Sequence, residues 1–202
     1  MRFLTFSIFL LLLSCAPFPK KMGYQPTSLD AREIRNPYFA DVQKDYVYKA
    51  NIIVFENNFG GILVLKKLAD QTHRIAFTTE LGNTIFDFTL SGTDFKVNRI
   101  LKEMDRKILL SILEQDFRSL IQEEIVPLNI YTKNDSELTK TKIGSKTHFY
   151  TFKNDILTNI TRVGNEKEKV VITFSEIDDR MARQIVISHK TMKLTISLQA
   201  IK

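Results

Sequence analysis

From Asp45 to Val54 the chain alternates, with Tyr46, Tyr48, Ala50, Ile52 and Val54 on one side, and it stops at Glu56-Asn57-Asn58. A two-residue period of this kind predicts a strand with one buried face. Gly60-Gly61 opens a second strand through Leu68, and Ala69-Asp70-Gln71 turns into a third with Ile75 and Phe77 inward. Leu81-Gly82-Asn83 is the next turn, followed by a strand placing Phe86, Phe88 and Leu90 on one face, then by one with Phe95 and Val97 inward. Such short connections predict antiparallel neighbours, a meander.

The period then changes to that of a helix. Between Asp105 and Glu124, Ile108, Leu109, Ile112, Leu113, Phe117, Leu120 and Ile121 recur three and four apart, with Asp105 as a candidate N-cap and Pro127 near the end. After a polar stretch from Thr132 to Lys146 the two-residue period returns at Phe149-Tyr150, Ile156–Val163, Val170–Phe174, Ile185–Ile187 and Met192–Leu198, with Gly164-Asn165 as a hairpin turn. The expected fold is mainly β (α+β): nine to eleven strands in a strongly curved antiparallel sheet or incomplete β-barrel, with the helix across its concave face. The inward residues of strands and helix could line a pocket or simply fill a core.

The start of the chain follows neither pattern. Arg2 precedes an apolar run from Phe3 to Leu13, then Ser14 and Cys15, the single cysteine of 202 residues. The run is well short of the ~20 residues a spanning helix needs, and Pro17 and Pro19 follow it. Residues 1–14 therefore read as a signal peptide. Leu12-Leu13-Ser14-Cys15 resembles the bacterial lipoprotein signal, which implies cleavage before Cys15 and a diacylglycerol on its sulfur; the plainer alternative is an ordinary cleaved signal. Residues 15–28, with Pro17, Pro19, Gly23 and Pro26, read as a lipidated cysteine and flexible tether. Residues 29–202 read as one domain, folded without disulfides.

The formal charge of +6 falls to +5 without Arg2, the one charged residue of the signal. That balance suits either an anionic lipid surface or a solvated one with scattered lysines. No nucleic-acid motif is present. His73, His148 and His189 lack metal spacing and read as surface or cross-strand residues; Glu176, Asp178 and Asp179 read as a solvated turn, with a hard-cation site as the alternative. No Gly-x-Ser-x-Gly, Walker or His-Glu-x-x-His motif occurs, so the sequence supports no enzyme, metal or cofactor.

The run from His73 to Thr89, with its Leu81-Gly82 turn between alternating strands, resembles the LolB-like outer-membrane lipoprotein receptors of the LolA/LolB superfamily of lipoprotein localisation factors. Glu80 stands where that family often has proline, and the chain has no tryptophan. The resemblance implies an incomplete barrel holding acyl chains in an interior bordered by Ile75, Phe77, Phe86, Phe88, Leu90, Phe95, Ile108, Leu109, Ile112, Leu113 and Phe117. It implies lipoprotein cargo from a LolA-like periplasmic carrier, and Leu81 as a protruding loop residue that helps transfer cargo into the membrane. Without the resemblance, Leu81 reads by default as an accident or a packed corner. The expected location is the outer membrane, lipid-anchored through Cys15 and facing the periplasm. Two alternatives stand beside it: a binding domain for another lipid or hydrophobic product, and a structural or interaction lipoprotein with a filled core.

Overall fold

The computed structural model describes residues 16–28, 34–178 and 180–201, and Cys15 lies outside them. Two antiparallel meanders make one sheet. The first comprises β3 (Asp45–Val54), β4 (Asn57–Ala69), β5 (Thr72–Thr78), β6 (Thr84–Ser91) and β7 (Asp94–Ile100). The second comprises β9 (Asn129–Lys133), β10 (Ser136–Ile143), β11 (Lys146–Lys153), β12 (Ile156–Gly164), β13 (Lys167–Asp178), β14 (Met181–His189) and β15 (Leu194–Ala200). β15 pairs antiparallel with β3 and joins the halves, Ile196 opposite Ile52. With β1 (Gln25–Thr27) added beside β9, the sheet has 13 strands and runs from β1 to β7 without closing into a barrel.

Parity explains most of the core. All five predicted inward residues of β3 are buried, as are Leu194, Ile196 and Leu198 of β15 and Val170, Ile172 and Phe174 of β13. Each Val, Leu, Ile or Phe among them contributes roughly 1.5–3 kcal/mol by leaving water. β7 has a neighbour on one side only, and Val97, expected inward, is 37% exposed.

The helix α2 spans Lys107–Ile121, its cap position one residue later than the predicted Asp105. Asp105 does not cap it: Asp105 belongs to the preceding turn, where its N–H donates to Leu101 O, and Arg106 occupies the cap position with no side-chain bond. The helix ends six residues before Pro127. There the chain leaves to form β8 (Glu124–Ile125) against β2 (Ile34–Arg35), and buried Asn36 donates to Leu120 O at 2.9 Å. A carbonyl left over at a helix end is satisfied by a side chain from a distant segment.

Two stretches read as unstructured are built into the sheet. The polar segment Thr132–Lys146 contains β10, whose inward Thr139 and Thr141 are buried with almost no exposure. Its cross-strand partners supply the burial that composition did not announce. Residues 16–28, expected as a tether, form the short helix α1 (Phe18–Lys21) and then β1. Phe18 enters a second small core with Leu138, Phe149 and Val163, its ring 4.9 Å from that of Phe149. One aromatic in a preformed apolar socket outweighs the prolines around it. Every described element lies between Ala16 and Ile201.

Candidate functional site

The turn between β5 and β6 carries the exposed leucine. Gly82 N–H donates to Thr79 O at 2.9 Å, Thr79 N–H to Asn83 O at 2.8 Å, and Asn83 N–H to Thr79 Oγ1 at 3.1 Å. Gly82 has φ +85°, a left-handed position where glycine avoids a Cβ clash. The turn is seated on β4 so closely that a Cβ at Gly61 would lie 1.9 Å from Thr78 O. Glu80 meets Lys49 at 3.6 Å. Leu81 between them is 91% exposed, which removes the packed-corner reading.

The residues expected around an apolar cavity mostly pack on one another. Ile75, Phe77, Phe86, Phe88, Leu113 and Phe117 are fully buried, and Leu90 and Leu109 nearly so. The Phe86 and Phe88 rings stack at 4.5 Å, Phe77 lies 5.4 Å from Phe86, and Phe117 of α2 reaches Phe86 at 5.8 Å. Phe95 meets Phe88 edge-on at 5.1 Å, and Ile112 packs partly buried against the same core. In this conformation these side chains fill the interior.

Ile108 departs from expectation: it is 75% exposed. At roughly 100° per residue, Leu109, Leu113, Asp116 and Leu120 centre the buried arc, and Ile108 falls beyond its edge. The apolar stripe read from sequence was one residue too wide at its start.

The histidines lie in paired strands, one of the two expected readings, and not at the surface. All three side chains are buried, and α2 brings two of them into one polar seam. Asp116 Oδ2 lies 2.7 Å from His189 Nε2, and Asp116 Oδ1 lies 3.3 Å from Arg162 Nη2. Ser119 Oγ lies 2.9 Å from His148 Nε2 and donates to Gln115 O at 2.7 Å. His148 Nδ1 lies 3.1 Å from Lys146 O. Burial pulls the His148 pKa down to about 4, and burial likewise lowers Arg162, opposed by Asp116. Asp116 Oδ1, Arg162 Nη1 and Tyr150 Oη have no hydrogen-bond partner. Serine and aspartate therefore approach different histidines, and no single Ser-His-Asp relay forms. A hollow of about 250 Å³ opens beside the seam between α2 and the β10–β11 turn. One sequence signal was available: His148, Arg162 and His189 share the inward parity of Tyr150, Ile160 and Ile187.

His73 lies elsewhere, its Nε2 3.1 Å from Phe39 O and 3.7 Å from Glu123, which pairs with Lys67 at 2.7 Å. Desolvation is the main cause that lowers its pKa. In the acidic turn Arg183 holds Asp178 at 2.7 Å, and Asp179 lies outside the described residues. Among the described residues no group of three or more His, Cys, Asp or Glu is arranged to hold a metal ion, and no helix is long and apolar enough to cross a membrane.

The fold and these sites define a mainly β protein with a large open antiparallel sheet and a helix packed into its core. No family model and no curated protein sequence matches the chain. Among solved structures, the crystal structure of a LolA superfamily protein from Nitrosomonas europaea is similar, at 6% identity and a TM-score of 0.48, covering 83% of this chain and 88% of that one.

Proposed function

We propose that the chain is a membrane-anchored lipoprotein that binds acyl chains between α2 and the concave side of its sheet. It receives lipoproteins from a LolA-like periplasmic carrier and inserts them into the outer membrane, facing the periplasm. The observation carrying this reading is Leu81, an apolar tip almost wholly in water on a turn held by three hydrogen bonds. A side chain so placed adds little to folding and suits contact with lipid. Entry of a chain requires α2 to part from the sheet. Along the seam at Asp116 and Arg162 the helix meets the sheet through polar groups, whereas at Phe117 it does so through aromatic rings.

The test is mass spectrometry of lipid co-purified with the protein, together with transfer of a lipoprotein from carrier to liposomes. Acyl species should co-purify, and Leu81→Asp should accept cargo but fail to release it. A second reading, a lipid-anchored interaction protein with a filled core, draws on the interlocked Phe77, Phe86, Phe88 and Phe117 rings. Absence of bound lipid together with unchanged transfer by the Leu81 variant would favour it.

A further inference from the structure

We infer that the end of the sheet at which the N-terminal segment enters is a docking surface for an anionic phospholipid bilayer. The inference rests on the reading of Cys15 as the anchor for its orientation, and on the structure for its charge.

Phe18 is fixed at the tip of the β12–β13 hairpin. Its N–H donates to the Glu166 carboxylate, and Lys21 Nζ donates to Glu166 O at 3.0 Å. Only Ala16 and Pro17 separate Cys15 from Phe18. Three Cα–Cα steps reach about 11 Å at most, so a lipid on Cys15 would hold this end of the sheet near the bilayer and leave little freedom to swing away.

The strand register places five lysines at that same end of the neighbouring strands β10 to β14, on all of them but β12. Lys142 closes β10 and Lys146 opens β11, with Lys142 opposite Thr147. Lys167 opens β13 opposite Gly164, Lys169 follows, and Lys190 after β14 donates its N–H to Lys169 O. At about 4.8 Å per strand these side chains spread over roughly 20 Å. Lys20 and Lys21 of α1 add to them, and all but Lys169 are exposed. The acidic residues at the ends of these strands are Glu166, already engaged by the N-terminal segment, and the half-buried Glu168; farther along the same end of the sheet Glu56 pairs with Lys193 and Glu80 with Lys49. Glu114 and Arg118 of α2 border the adjoining hollow and pair with each other at 2.9 Å. The opposite end of the same strands is mixed, turning through Asp135, Asp155 and Asp178 beside Lys133, Lys153 and Arg180. Excess positive charge at the anchored end is the complement of a headgroup layer of anionic lipid.

Vesicle sedimentation uses the chain from Ala16, with its far-UV spectrum compared with that of the full chain. The vesicles are phosphatidylcholine alone, or two parts phosphatidylcholine to one part phosphatidylglycerol. Binding should require phosphatidylglycerol and weaken with salt. Lys167→Glu with Lys190→Glu should lower it on the order of tenfold, whereas the charge-matched pair Lys96→Glu with Lys153→Glu should stay within about twofold of wild type. Circular dichroism checks that both double variants are folded. Equal loss in both would show bulk charge alone and overturn the surface, as would no binding. Palmitate labelling of the full chain, with Cys15→Ala as control, runs in parallel. Label without vesicle binding removes the surface and keeps the anchor; vesicle binding without label does the reverse.

Discussion

Asp116 on α2 and His189 on β14 stand 2.7 Å apart with their side chains almost wholly buried, and Arg162 on β12 approaches the same carboxylate at 3.3 Å. One helical residue thus connects two strands of the second meander. Removing the carboxylate leaves a buried guanidinium without its partner, so Asp116→Ala should cost about 3–5 kcal/mol in urea unfolding. Asp116→Leu combined with Arg162→Met should cost less than Asp116→Ala alone, since no charge is stranded. A double variant at least as unstable as the single would show that the pair is net stabilising here.

His148 makes stability depend on pH. Its folded pKa is about 4 and its unfolded value is near 6.5, so between these limits the unfolded chain takes up a proton that the folded chain refuses. The contribution is complete above about pH 6.5, falls as pH drops, and levels off near pH 4, a loss on the order of 3 kcal/mol. His73, whose pKa is also lowered, acts in the same direction. Urea unfolding from pH 7.5 to 4.5 should therefore show a shallower slope for His148→Asn than for wild type; parallel slopes would exclude His148.

Gly61 tests the seating of the β5–β6 turn. Gly61→Ala forces a Cβ into the Thr78 carbonyl, a backbone atom that cannot rotate away, and should cost about 3 kcal/mol or more. Gly60→Ala, with open space at its Cβ, should cost only about 1 kcal/mol or less. Thermal unfolding of both variants decides between a close approach and a generic demand for glycine in β4.

Leu81→Asp should change stability by under ~1 kcal/mol, because the side chain is in water already. Leu113→Ala, on the buried arc of α2, should cost about 2–5 kcal/mol. A large loss for the Leu81 variant would place that leucine in a contact not present in this conformation.

Phe18→Ala should release the N-terminal segment while the main sheet stays folded. The second core loses its central ring, worth about 3 kcal/mol or more, and the segment then opens below the global unfolding threshold. Trypsin should cut after Lys20 and Lys21 much faster than in wild type, with little change in the far-UV spectrum. Equal cleavage rates would show that β1 pairing alone holds the segment.

The sequence by itself determined the strands of strongest alternation and the helix, because their side-chain period decides which face is buried whatever they pack against. Tyr46 to Val54 and Leu194 to Leu198 fell inward as parity required, and Leu81 was legible as an apolar tip because its turn is local. Tertiary structure decided what depends on a distant partner. β10 is a strand because β9 and β11 flank it, and the N-terminal segment is ordered because Leu138, Phe149 and Val163 form a socket for Phe18. α2 stops early because β2 draws the chain away. The polar seam is the strongest case: His148, Arg162 and His189 lie far apart along the chain, and only the packing of α2 on β11, β12 and β14 brings them to Ser119 and Asp116. Pattern sets which face a residue occupies, while contact between faces is set by sheet register and helix placement, which no local period encodes.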